Sequence, residues 1–260
     1  MEATINNNAL RVGNITSSEG AVAIMSNGKA KGSFGKPALT YIDECNFERR
    51  LGRSIDTESN AKPLTWGKLV ESRVFELLGL EYQLVSKETI QHPTIDYWVG
   101  SPDANKFDEG KTVVDIKCPI TLKSFCQLVA PVYEELYDAG DIDHGLVAMN
   151  VIRAEHRDGD KYYWQLVSNA ILTNSKFAEL IVYCPYKSEL DAIREMIAKG
   201  DGEMQSKYGW INWAQDNELP WIPDGGYYKN INVIRFEVPA EDKIALHQRM
   251  VEAGKLLINI

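Results

Sequence analysis

Apolar positions recur along the chain at helical spacing in some stretches and in alternation in others. Ala21, Val22, Ala23, Ile24 and Met25 follow Thr16, Ser17 and Ser18, which predicts a short helix to about Met25, capped by one of those hydroxyls with Glu19 in its first turn. Leu39–Leu51 and Trp66–Gly79 read as helices, the second with Val70, Val74, Phe75, Leu77 and Leu78 in one broad stripe. Strands are expected over Tyr82–Ile90 and Ile95–Gly100, with His92 and Pro93 at the turn between them. A further strand ends near Cys118, where Pro119 stops the ladder, and a helix over Lys123–Ala139 is interrupted at Pro131. His144–Ile152 then reads as a strand, Arg157–Asp160 as a turn, and Lys161–Thr173 as a helix with Gln165, Ser168 and Asn169 in a polar stripe. Phe177–Tyr183 is an apolar strand and Leu190–Lys199 a helix; Ile231–Val238 and Ala240–Leu257 close the chain as strand and amphipathic helix. No repeat or linker divides residues 1–260, so one domain is expected, with residues 1–10 a frayed polar arm and 187–230 an aromatic-rich peripheral segment.

Composition narrows the class. With 260 residues, 44% hydrophobic and 25% charged, the chain can bury a substantial core. No apolar run reaches the eighteen or so residues of a membrane span, and the N-terminus has no signal-peptide pattern, so a cytoplasmic protein without a membrane partner is expected. Cys45, Cys118, Cys126 and Cys184 are scattered without a CxxC pair, which points to reduced thiols rather than zinc or disulfides. The net charge of −9 argues against a broadly basic nucleic-acid surface. It leaves room for a local basic patch, and for carboxylates that attract phosphate once metal fills them.

The candidate chemistry lies in Gly100–Lys117, GSPDANKFDEGKTVVDIK. Asp103 sits on a turn, and a strand follows in which Asp115 and Lys117 share one face while Val114, Ile116 and Cys118 share the other. Paired carboxylates suit Mg²⁺ or Mn²⁺, and a lysine beside them can hold or deprotonate a water, which is the chemistry of phosphodiester hydrolysis. Glu71 falls within the apolar stripe of its helix, where a carboxylate requires either a metal or a partner such as Arg73 or Lys117.

Other stretches keep two readings open. The Thr16–Ser18 hydroxyls near Arg11 form either a simple cap or a phosphate cradle. Asn27–Lys36 is a glycine- and lysine-rich loop without P-loop spacing, flexible and near a substrate if it binds one. Arg49, Arg50 and Arg53 either track phosphates or offset a helix dipole. The rings of Tyr208, Trp210, Trp213, Trp221, Tyr227 and Tyr228 either stack on unpaired bases or pack a long loop.

A helical Glu, a Pro-Asp turn and Asp-x-Lys on a strand together resemble the PD-(D/E)xK nucleases. Four blocks sharpen the resemblance toward the lambda-type exonucleases, or YqaJ-like viral recombinases: RVGNITSS at Arg11–Ser18, TWGKLVE at Thr65–Glu71, GSPDA with VVDIKCP, and YYWQLVSNAILT at Tyr162–Thr173. They span Arg11 to about Tyr186. The resemblance implies an α/β (α+β type) fold, a mixed central sheet flanked by helices. It implies Glu71, Asp103 and Asp115 as acidic metal ligands, with the Ile116 carbonyl as a further oxygen, Lys117 and Gln165 as the catalytic lysine and glutamine, and Mg²⁺, or Mn²⁺, as cofactor. Arg11 and Ser18 would hold the 5′ phosphate, and Arg53 is taken as a further DNA contact. A DNA exonuclease acting 5′-to-3′ on duplex ends follows, with a homotrimer and a single-strand annealing protein in phage-type recombination. Its competitors are an endonuclease of the same fold, such as a resolvase or nickase, and a non-catalytic DNA-binding or assembly protein. Two positions depart from the family pattern, Asp115 where Glu is common and Ala104 where Gly often follows the Pro-Asp turn.

Overall fold

The computed structural model describes residues 9–55, 61–84, 89–106, 108, 111–133 and 144–259. A single helical turn at Ala9–Arg11 leads into strand β1 (Ile15–Thr16) and helices α1 (Gly20–Met25), α2 (Lys36–Leu51) and α3 (Lys62–Leu77). Pro37 and Pro63 stand in the first turns of α2 and α3, where their missing N–H groups cost no helical bond. Strands β2 (Tyr82–Leu84), β3 (Ile90–Gln91), β4 (Trp98–Gly100), β5 (Ala104–Lys106) and β6 (Thr112–Lys117) follow. Helices α4 (Leu122–Tyr133), α5 (His144–Glu155) and α6 (Gly159–Thr173) then cross to β7 (Phe177–Tyr183). Helices α7 (Lys187–Lys199), α8 (Gly202–Tyr208) and α9 (Trp210–Trp213) precede β8 (Ile231–Glu237) and α10 (Ala240–Gly254).

Five strands form a mixed sheet in the order β2-β5-β6-β7-β8, in which β6 and β7 are parallel and the other neighbours antiparallel. A parallel pair needs a long crossover, which α4, α5 and α6 provide. A smaller sheet, β1-β4-β3, pairs Ile15 with Trp98 and Thr16 with Val99.

Side-chain alternation splits the core between the two faces of the large sheet. Val113, Leu180 and Val182 pack with Phe125, Met149 and Leu166 from α4, α5 and α6. Val114, Ile116 and Ile181 pack with Trp66, Val70 and Val74 of α3 and Leu190 of α7. This is the expected mixed sheet flanked by helices, and β6, buried from Thr112 to Ile116, runs through its centre.

Several expected elements change. His144–Glu155 is a helix rather than a strand: Ala148, Met149 and Ile152 are buried at helical spacing, and a short apolar run does not by itself distinguish the two. The strand expected over Tyr82–Ile90 is two strands in different sheets, β2 against β5 and β3 against β4, and Ile95–Gly100 shortens to β4. Helix α1 begins at Gly20 without a side-chain cap, and Thr16 is part of β1. Leu77, expected in the stripe of α3, is 40% exposed. Residues 1–8 of the expected arm, 85–88 of the expected strand and 134–139 of the helix expected after Lys123 lie outside the described residues.

The loop expected to be flexible at Asn27–Lys36 is held. Arg249 donates to the carbonyls of Ile24, Ser26 and Gly32 at 2.7–3.0 Å, and its guanidinium lies 3.9 Å over the Phe34 ring. The arginine cluster is divided in the same way. Arg49 donates to Gly13 O, Asn14 Oδ1 and Ile258 O, so it braces the N-terminal segment instead of tracking phosphate. Gly13, at φ +67°, is required there, because a Cβ would stand 2.5 Å from Arg49 Cγ.

The aromatic segment is mostly packed. Trp210 Nε1 donates to Thr65 Oγ1 at 3.2 Å, Trp221 Nε1 to Asp216 O at 2.9 Å, and Tyr228 meets Phe125 and Tyr133 edge-on. Trp213 and Tyr227 remain exposed.

Candidate active site

Four elements converge on the C-terminal end of β6. Asp103 stands between β4 and β5, and its Oδ2 accepts the Ile116 backbone N–H at 2.7 Å, while its own N–H donates to Val114 O at 3.2 Å. The Pro-Asp turn is thereby fastened to the strand of Asp115. Asp115 is fully buried, and its Oδ1 accepts from Gln165 Nε2 of α6 at 2.6 Å. Its Oδ2 is met by the Lys117 ammonium in an ion pair at 2.5 Å. Lys117, 21% exposed, also lies 5.2 Å from the centre of the Tyr162 ring, one turn before Gln165 on α6.

The electrostatics follow from this crowding. Asp103 keeps part of its surface open, yet protein walls its carboxyl. Burial raises its pKa first, the Asp115 charge raises it further, and Glu71 adds to the repulsion against the opposing pull of Lys117. For Lys117, burial works against the ammonium, but Asp115 and Asp103 outweigh it and hold the pKa above the ordinary lysine value. The group thus sets two carboxyl groups beside one firmly protonated lysine, with a proton favoured on Asp103.

Hard oxygen donors at repelling carboxylates are the donor chemistry that suits a divalent cation. Asp103 and Asp115 fit such an ion by their donor chemistry, with Oδ2 of Asp115 now held by the Lys117 ammonium. Glu71, half-buried on α3, lies close enough for its charge to act on Asp103 and Cys118. Among the described residues no three His, Cys, Asp or Glu side chains are placed to hold a metal ion, so the third acidic position is not formed around a common point. Of the neighbours weighed for Glu71, Arg73 pairs with Glu76 and Lys117 with Asp115.

A second polar group adjoins the first. Arg11 Nη2 donates to Ser18 Oγ at 3.0 Å, and Nη1 reaches Ser101 Oγ at 3.5 Å. Ser101 is also 3.2 Å from Thr89 Oγ1, and Ser18 is 3.4 Å from Thr16 Oγ1, which contacts the Tyr41 hydroxyl. The pairing of Arg11 with Ser18 was expected; the roles of Ser101, Thr89 and Tyr162 were not. Ser101 had one available signal, its place two residues before Asp103. Arg53 is exposed beyond the end of α2 and makes no ion pair among the described residues, so nothing brings it to either group.

No protein-family model matches the chain, and no curated protein does. Solved structures do. LHK-Exo, an alkaline exonuclease from Laribacter hongkongensis, aligns over 97% of this chain and 92% of its own at a TM-score of 0.57 and 15% identity. Its complex with dAMP aligns over 95% and 90% at 0.55 and 15% identity. A phage-related exonuclease from Haemophilus somnus 129PT covers 94% and 92% at 0.58 and 13% identity. Across nearly its whole length, the chain has the fold of these exonucleases.

Proposed function

We propose that this chain is a Mg²⁺-dependent deoxyribonuclease that removes nucleotides from the ends of duplex DNA. The observation that carries the reading is the adjacency of two groups: the Arg11–Ser18–Ser101 cluster lies two residues of chain from Asp103, which is bonded to the strand of Asp115 and Lys117. Two residues span at most about 7 Å. An end phosphate donated to by Arg11, Ser18 and Ser101 therefore leaves about one nucleotide before the carboxylates, and a mononucleotide product is expected. The exonuclease names of the structural neighbours, and the dAMP complex of one, support the same reading.

Asp103 and Asp115 would hold the metal, with Glu71 and the Ile116 carbonyl as further oxygen ligands. Bound there, Mg²⁺ would polarise the scissile phosphate and offset the charge that builds on it. Lys117, kept protonated by Asp115, orients the attacking water and neutralises developing negative charge. Gln165 fixes the Asp115 carboxylate so that one oxygen stays directed at the site. Arg11, Ser18 and Ser101 bind the end phosphate and set the strand in line, and Arg53 is a peripheral candidate for the duplex backbone. The family resemblance adds 5′-to-3′ polarity, a homotrimer, a single-strand annealing partner, phage-type recombination and a cytoplasmic setting to the proposal.

Digestion of end-labelled linear duplex, with Mg²⁺ and with chelator, beside a covalently closed circle, tests it. Metal-dependent release of mononucleotides from the linear DNA alone is expected. Cleavage of the circle would instead indicate an endonuclease, and no cleavage of either would indicate a non-catalytic DNA-binding protein.

A further inference from the structure

We propose that Ser17 is a positioning residue which, through Ser168, sets the end-phosphate cluster at a fixed distance from the carboxylates; the proposal rests on the nuclease reading above. Ser17 and Ser168 are 2% and 0% exposed, and their hydroxyl oxygens are 2.7 Å apart across 151 positions of sequence. The buried Trp98 indole donates to Ser168 Oγ at 2.8 Å, and Ser17 Oγ donates to Val99 O at 3.4 Å. One proton order satisfies every contact, with Trp98 donating to Ser168, Ser168 to Ser17, and Ser17 to the β4 carbonyl. Ser17 thereby ties the end of β1 to α6.

What this tie joins gives it consequence. On the β1 side, the next residue is Ser18, bonded to Arg11. On the helix side, Gln165 lies three residues before Ser168 on the same face and holds Asp115. Three residues of helix rise about 4.5 Å. One rigid helix therefore grips the catalytic carboxylate at one point and the strand leading to the phosphate cluster at the next. Gly100 permits the approach: a Cβ there would come 2.3 Å from Ser17 Oγ and 2.6 Å from Asn169 Oδ1. Among the described residues the Ser17 hydroxyl bonds to Ser168 and Val99 O and not to the candidate metal ligands or Arg11, so its effect is on spacing and not on the reacting groups.

The test compares Ser17→Ala with wild type on duplexes ending in 5′ phosphate or 5′ hydroxyl, with Mg²⁺ present. The variant keeps the Trp98 bond to Ser168. The ratio of phosphate-end to hydroxyl-end rates should fall about ten- to a hundredfold, since a misplacement of up to about 1 Å costs as much as a hundredfold, while the hydroxyl-end rate stays within about twofold. A purely structural role would lower both rates together and leave the ratio unchanged, which overturns the proposal. If thermal melting shows that Ser17→Ala does not fold, Ser17→Cys, close in size with a weak donor, is read by the same ratio. A ratio reduced by Arg11→Ala but not by either Ser17 variant rejects this inference alone. A wild-type protein that digests no duplex rejects the nuclease reading and this inference with it.

Discussion

The Ile116 backbone N–H donates to Asp103 Oδ2 at 2.7 Å, locking a carboxylate whose pKa is raised onto the strand that carries a second carboxylate. Burial and the Asp115 charge place the folded-state pKa of Asp103 above the unfolded value of about 3.9. The folded protein therefore binds the extra proton across that interval, and its metal-free form loses stability as pH rises through it. Asp103→Asn can still accept the Ile116 N–H but cannot ionise. In chelator it should melt higher than wild type at pH 8, by about 2–4 °C for each kcal/mol relieved, with the difference shrinking toward pH 5. Equal pH dependence in the two proteins would show that Asp103 carries no such burden.

Lys117→Ala removes the cation at Asp115 Oδ2 and the proposed water-orienting group. Digestion of linear duplex should fall about 10²–10⁴-fold, the range for loss of a positioned acid–base group. Filter binding to duplex ends should remain within a few-fold, and a wild-type rate of digestion would remove Lys117 from the chemistry.

Arg11→Ala and Ser101→Ala each remove one donor to the proposed end phosphate. Competition between phosphorylated and hydroxyl ends should show the preference reduced in both, more by Arg11→Ala because charge-assisted bonds are about twice as strong as neutral ones. An unchanged preference in Arg11→Ala would dismantle the cluster as a phosphate site.

Glu179 provides a contrast away from the site. It is 1% exposed on β7 and accepts from the Tyr82 hydroxyl at 2.9 Å, with Arg235 at 3.3 Å and Lys106 at 3.6 Å. Glu179→Ala removes the anion that Tyr82, Lys106 and Arg235 share, while Arg235 keeps Asp108 at 2.5 Å, and should cost about 1–3 kcal/mol in denaturant unfolding. Activity per folded molecule should persist, because among the described residues no hydrogen bond or ion pair joins that cluster to Asp115 or Arg11.

The 5′-end preference would follow from groups that local pattern revealed only in part. Arg11 and Ser18 are seven positions apart and stood out together, whereas Ser101 joins them only because β1 and β4 pair in parallel. Likewise Gln165 was marked by a polar stripe on a helix, but its partner Asp115 lies 50 positions away.

By itself the sequence determined the strand of Asp115 and Lys117, the strand Phe177–Tyr183 beside it and the helix of Gln165, because alternation and helical spacing are local properties of the chain. Tertiary structure alone decided that His144–Glu155 is a helix, that Arg49 braces Gly13 and Ile258, that Ser17 meets Ser168, and that Glu71 stands beside Asp103 without completing a three-ligand cluster. Those outcomes depend on which surfaces are brought together across the sheet. A short apolar run, a charged side chain or a hydroxyl carries no local record of its distant partner.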